Sequence, residues 1–246
     1  QFLFASAICM GGSQLFFGYL ENYTLHYVAV FAYVLFSVQH LRRKGLPVVP
    51  TLLFLLSLSL HYQAIFLLPS LVYLWVSAIR QRVRTVSTVL ASRNLTVAVL
   101  FWLLPIAGMY LVKGPRVAEI FLVPLFRAAS PDGYALFSLR HLMDVVNEQL
   151  LISSAGLVLI ISLLVAYGRR IKWKERTTAF LLIVAFYSAL FNFFVDPSLG
   201  MARDWDLFAA SGIGYTVLGV FLLTRVVHPK ETLRYVTVAL AVTAFV

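Results

Sequence analysis

The sequence predicts an all-α integral membrane protein, a polytopic helical bundle of about eight to nine transmembrane helices with an amphipathic helix on its outer face. Three observations lead there. Hydrophobic residues make up 61% of the chain and charged residues 12%, with a mean hydropathy of +0.89, whereas about a quarter of a soluble domain's residues are charged. Apolar runs of spanning length alternate with polar loops, and each such run must satisfy its own backbone as a helix. The charges are also sorted. Fifteen of the twenty Lys and Arg residues fall in the loops 42–44, 80–93, 169–176 and 225–234, which hold only Glu175 and Glu231 as acids, a net +13; the other segments carry five basic and eight acidic residues, a net −3. Short basic loops stay cytoplasmic, so the acidic set faces outward.

Each element follows from runs and flanks. A first span, 1–19, leads out to Gly18-Tyr19-Leu20-Glu21-Asn22-Tyr23, and a second, 24–41, returns to the basic loop 42–44. The apolar block 46–79 has basic flanks at both ends, so it crosses an even number of times and must fold as a hairpin. Its only polar turning point is His61-Tyr62-Gln63. Each arm then has about 15 residues, roughly 22 Å against a hydrocarbon core of about 30 Å, which places the turn in a recess. A fifth span, 95–112, kinked at Pro105, leads to the long outer loop 113–149. There, 119–126 is apolar but too short to span, Ser130-Pro131-Asp132-Gly133 is a turn, and Ser138 is placed to N-cap a helix. From Ser138, Leu139, Leu142, Met143, Val146 and Leu150 recur at helical spacing and predict a surface helix over 138–149, with Arg140, His141, Asp144, Asn147 and Glu148 on its polar side. Spans at 150–167, 178–195 and 207–224 follow, and a ninth begins near Tyr235. Residues 1–246 read as a single transmembrane domain and as a piece of a longer chain.

The basic pI of 9.9 reflects loop bias and does not point to nucleic acid. A lone Cys9 excludes an internal disulfide and a Cys-based zinc site. No P-loop, serine elbow or His-Glu-x-x-His helix is present. Gly212, Gly214 and Gly219 have the spacing of a close helix contact.

The polar candidates converge on the outer face. Glu21 with Asn22 offers a carboxylate and an amide at a site mouth, or caps a helix end in water. His61 and Gln63, in the recessed turn, must find partners or line a wet cavity. The stretch from Asp196 to Asp206 contains Arg203, whose fork of donors suits a phosphate, while Asp204 and Asp206 either orient it, bind sugar hydroxyls, or cap the following helix. Asp204 and Asp206 also spell the Asp-x-Asp of nucleotide-sugar transferases outside its soluble α/β setting, which leaves a divalent cation open as a cofactor. Arg140, His141 and Asp144 form either a solvated helix face or a rim of the same site.

The span ending at 18–23, the short hairpin turning at His61-Tyr62-Gln63 and followed by Pro69, and the outer loop with its surface helix together resemble the GT-C superfamily of polytopic glycosyltransferases, which includes protein O-mannosyltransferases and aminoarabinose transferases. The resemblance covers most of the chain. It implies transfer of a sugar from a polyprenyl-phosphate carrier to an acceptor glycan, lipid or protein on the outer or lumenal face. The setting it implies is a bacterial inner membrane, or the endoplasmic reticulum membrane in a eukaryote. Arg203 or Arg140 would hold the carrier phosphate, His61 and Gln63 would line the sugar pocket, and Glu21 is the visible candidate base, although the family's usual carboxylate lies in a loop upstream of Gln1. A transporter or lipid flippase without chemistry, or a non-catalytic scaffold, is the rival reading.

Overall fold

The computed structural model describes residues 15–16, 23–43, 46–82, 122–125, 135–197, 200–201 and 203–227. Among them the regular elements are helices: α1 (Tyr23–Leu41), α2 (Val48–Leu60), a 3-10 stretch (Tyr62–Leu67), α3 (Leu68–Arg82), α4 (Leu139–Tyr167), a second 3-10 stretch (Gly168–Arg170), α5 (Arg176–Phe194), α6 (Trp205–Ala209) and α7 (Gly212–Val226). An isolated antiparallel bridge joins Leu122 to Val195. Five segments are long and apolar enough to cross a membrane, namely Tyr23–Leu41, Tyr62–Arg80, Leu139–Arg170, Arg176–Phe194 and Trp205–Val226, with Val48–Leu60 as a shorter apolar helix. The described residues thus form a multi-pass helical bundle. The further spans expected at 1–19, 95–112 and from 235 lie outside them.

The expected hairpin is present. Helix α2 ends at His61, whose backbone is extended (φ −157, ψ 139), and Pro69 falls in the first turn of α3, where a missing N–H costs little. Trp75 Nε1 donates to Thr51 Oγ1 at 3.1 Å. Residues equidistant from the turn therefore face each other, and the arms run antiparallel. Helix α2, with 13 residues, is about 20 Å long, short of the hydrocarbon thickness.

The surface helix starts as expected: Ser138 caps it, accepting from the His141 N–H at 3.3 Å. It meets the following span at a break at Ser153 (φ −163, ψ 70), slightly beyond the expected boundary at 149, so two helices joined by a kink cover Leu139–Tyr167. Of its expected polar side, His141 and Glu148 are buried while Arg140 and Asn147 are exposed, and Leu139, Met143, Val146 and Leu150 of the apolar side are exposed as well. Spacing fixes which residues share a face. It does not fix what that face meets, and in lipid the apolar side turns outward while polar groups turn toward the bundle.

Helix α7 is the axis of the bundle. In the segment Trp205–Val226, which contains it, 94% of the most apolar 18-residue stretch is buried. Lipid tails are as apolar as leucine, so close backbone approach supplies the packing. A Cβ on Gly214 would stand 2.9 Å from Ala185 Cα of α5, and one on Gly219 would stand 3.2 Å from Leu159 of α4. These glycines permit the close helix contacts that their spacing suggested.

The two ends of the bundle are chemically distinct. Arg225 Nη2 donates to Glu175 Oε1 at 2.6 Å and Tyr73 OH donates to the Arg176 carbonyl at 3.3 Å, which ties the loop 169–176 to α3 and to the end of α7. At the opposite end the hairpin turn meets the start of α1, and the inward face of α4 meets α6.

Candidate functional site

The hairpin turn is built around histidines. His26, in the first turns of α1, places Nδ1 3.1 Å from the Ser57 carbonyl and Nε2 3.1 Å from Gln63 Oε1. A carbonyl only accepts, so Nδ1 carries a proton, and the Gln63 amide completes the second bond with whichever end it turns toward the ring. His61 caps the 3-10 stretch, its Nδ1 accepting from the Gln63 N–H at 3.2 Å. Its ring lies 4.3 Å from that of Tyr62, 5.2 Å from His26 and 5.3 Å from Tyr23, centroid to centroid. Burial, and secondarily the nearby His26, pushes the His61 pKa down to about 4. The ring is therefore neutral at pH 7. With Nδ1 accepting, Nε2 carries its proton.

Three carboxylates stand beside this turn. Glu148, on the inward face of α4, is 2% exposed, and its Oε1 has no hydrogen-bond partner among the described residues. It lies within electrostatic range of Asp206 and Asp204, and Asp204 in turn acts on Tyr62, the neighbour of His61. The loop ahead of α6 thus closes on the hairpin turn. Gly200, at φ 90, makes that loop possible: its carbonyl accepts from the N–H groups of Arg203 at 3.0 Å and Asp204 at 3.1 Å, in a backbone conformation a side chain would strain. Asp204 occupies the N-cap position of α6 yet makes no capping side-chain bond, and Asp206 sits in the first turn.

Helix α5 adds polar groups. Ser188 and Asn192, four residues apart on the helix, and Asp196, just beyond its end, are all buried, and neither amide atom of Asn192 has a hydrogen-bond partner among the described residues. Buried polar groups in a spanning helix are costly.

The expected residues fare differently. His61 and Gln63 are adjacent, and Asp204 and Asp206 join them through Tyr62 and Glu148. Gln63 is committed to His26, and the cavity beside it, bounded also by Ser188, Phe66 and Ala210, measures about 10 Å³, room for one water at most. Arg203 is exposed in the loop ahead of α6, and Arg140 is exposed in the first turn of α4. His141 does not belong to a solvated face: it is fully buried, with Nε2 3.0 Å from the Phe193 carbonyl. Glu21 lies outside the described residues. No group of three or more His, Cys, Asp or Glu among the described residues is arranged to hold a metal ion.

No family model, no curated protein and no solved structure matches the chain.

Sequence reasoning placed Glu148 on a polar helix face without marking it as a site residue, and it passed over Asn192. The signal was available for both: Ser188 and Asn192 share one helical face of an otherwise apolar span, and Glu148 lies seven residues beyond His141, two turns along the same face.

Proposed function

We propose that the chain is a membrane glycosyltransferase moving a sugar from a polyprenyl-phosphate carrier to an acceptor glycan, lipid or protein at the acidic, extracytoplasmic end of the bundle, in a bacterial inner membrane. The observation that carries this reading is the buried carboxylate of Glu148, with one oxygen unpartnered among the described residues, beside Asp204, Asp206 and the recessed His61-Tyr62-Gln63 turn. In its ionised form the Glu148 carboxylate is an acceptor for a hydroxyl proton. It takes over the role that the sequence offered to Glu21.

In the reaction, the acceptor oxygen attacks the anomeric carbon, the carbon–oxygen bond to the carrier phosphate breaks, and its electron pair leaves with that phosphate. The hydroxyl proton passes to Glu148. Arg203 or Arg140, both at this end, stabilises the charge growing on the phosphate, usually the largest electrostatic contribution in such chemistry. Neutral His61 and the carboxylates of Asp204 and Asp206 supply hydrogen-bonding groups for sugar hydroxyls.

The test uses the full-length protein in liposomes with radiolabelled polyprenyl-phosphate mannose, glucose or aminoarabinose. Label transferred to an acceptor, falling by about 10²- to 10⁴-fold in Glu148→Gln, supports the reading. A carrier that crosses the bilayer with its sugar still attached identifies a flippase instead.

A further inference from the structure

At the opposite end of the molecule, between the loop 168–178 and the last turns of α7, lies a cavity of about 440 Å³. Arg170, Lys172 and Arg225 line it with a single carboxylate, Glu175, while Ile171 and Leu222 contribute an apolar floor. Two of the cations are held in place. The Arg170 guanidinium sits 5.7 Å from the centre of the Tyr167 ring and that of Arg225 sits 5.1 Å from the Phe221 ring, within the range of cation–π attraction. Arg225 is also fixed by its 2.6 Å bond to Glu175 through Nη2, which leaves its other N–H groups for a ligand.

The level of the cavity is set by its neighbours. Val165, one turn before Arg169, is 85% exposed, as suits a side chain in lipid. Tyr167 and Trp173 flank the loop, and such amphipathic rings gather where hydrocarbon meets headgroups. Three cations against one carboxylate, above an apolar floor and at headgroup depth, match one chemistry: a phosphate diester with a lipid stem. We propose that this cavity binds the headgroup of an anionic phospholipid from the cytoplasmic leaflet. Basic pockets between spanning helices recognise such lipids by the same physics. This site is independent of any reaction at the far end.

The experiment places the full-length protein in phosphatidylcholine nanodiscs doped with phosphatidylglycerol and counts retained lipids by native mass spectrometry. Wild type retains phosphatidylglycerol saturably. Arg170→Gln, which leaves the Arg225–Glu175 pair intact, weakens retention roughly fivefold, and Arg170→Gln with Arg225→Gln on the order of 25-fold, from the contribution of about one basic side chain each. The double variant Lys174→Gln with Arg176→Gln removes the same charge from the same loop outside the cavity and retains lipid like wild type; an equal loss there means diffuse attraction and overturns the site. Circular dichroism of each variant confirms unchanged helix content, and Arg170→Lys with Arg225→Lys stays within a few-fold of wild type. Unchanged retention in both Gln variants overturns the proposal, as does displacement of the lipid by soluble glycerol phosphate at equal concentration, which would identify a free phosphate as the ligand.

Discussion

At the basic end of the bundle Arg225 is 51% exposed and meets Glu175 in contact with water, while at the acidic end Glu148, Asp196 and Asp206 are buried. Both ends announce themselves in the sequence by charge, of opposite sign, and they differ again in burial. Exposed charges at a helix end cost little and fix topology. Charges withdrawn from both water and lipid cost several kcal/mol, so a fold that keeps three of them, together with fully buried Asn192, holds them against a steady destabilising pressure. Such a pressure is tolerated where the groups act on something.

The comparison breaks most visibly at Glu148. Under the proposed transfer reaction, Glu148→Gln lowers sugar transfer by about 10²- to 10⁴-fold yet leaves thermal stability in detergent unchanged or raised, because a neutral amide is cheaper to bury than a carboxylate. A fall in stability together with activity would make Glu148 a structural residue. His26→Ala is the structural counterpart at the same end. It removes two buried hydrogen bonds and leaves a void, and should cost about 2–4 kcal/mol, read from chemical denaturation in detergent; a loss below about 1 kcal/mol would show that the hairpin turn does not depend on it.

Gly214→Val tests the middle of the molecule, common to both ends. The new side chain meets the backbone of Ala185, which cannot swing away, and a destabilisation of about 1–3 kcal/mol is expected. The fourth test concerns pH. An unfolded histidine titrates near 6.5 and folded His61 near 4, so between those values the unfolded chain takes up a proton that the folded chain refuses. Stability present above pH 6.5 is therefore lost as the pH falls toward 4. His61→Asn, which keeps a short capping acceptor, should flatten that part of the profile relative to wild type. Smallest is Glu175→Gln at the basic end. An exposed ion pair is worth up to about 1 kcal/mol, and a larger loss would mean that this end, too, hides a buried interaction.

Much of this was legible in the sequence. The parity of basic flanks around 46–79 required a turn, and His61 was the only polar place for it. Ser138 announced its helix start. The loop carrying Asp204 and Asp206 and the turn carrying His61 were expected on one side, and the Tyr62–Asp204 and Glu148–Asp206 interactions bring them together. What stayed hidden is the direction a polar stripe faces. His141 and Glu148 have the same spacing whether they look at water or at a neighbouring helix, and hydropathy averages that erase Asn192 among phenylalanines cannot distinguish a tolerated amide from a placed one. The exact place of the break, at Ser153, was equally invisible, because it carries no Pro or Gly.

That bend has a mechanical meaning. Where α4 departs from helical geometry at Ser153, its neighbour α7 reaches across: Tyr215 OH donates to the Gln149 carbonyl at 3.2 Å, and Ser153 Oγ and Thr216 Oγ1 share a hydrogen bond of 2.7 Å. The angle of the outer arm, which carries Glu148, is thereby pinned to a single buried strut whose far tip holds Arg225. A twist or axial slip of that strut by a fraction of a turn would re-aim the carboxylate. The strut thereby couples the basic end of the bundle to its acidic end.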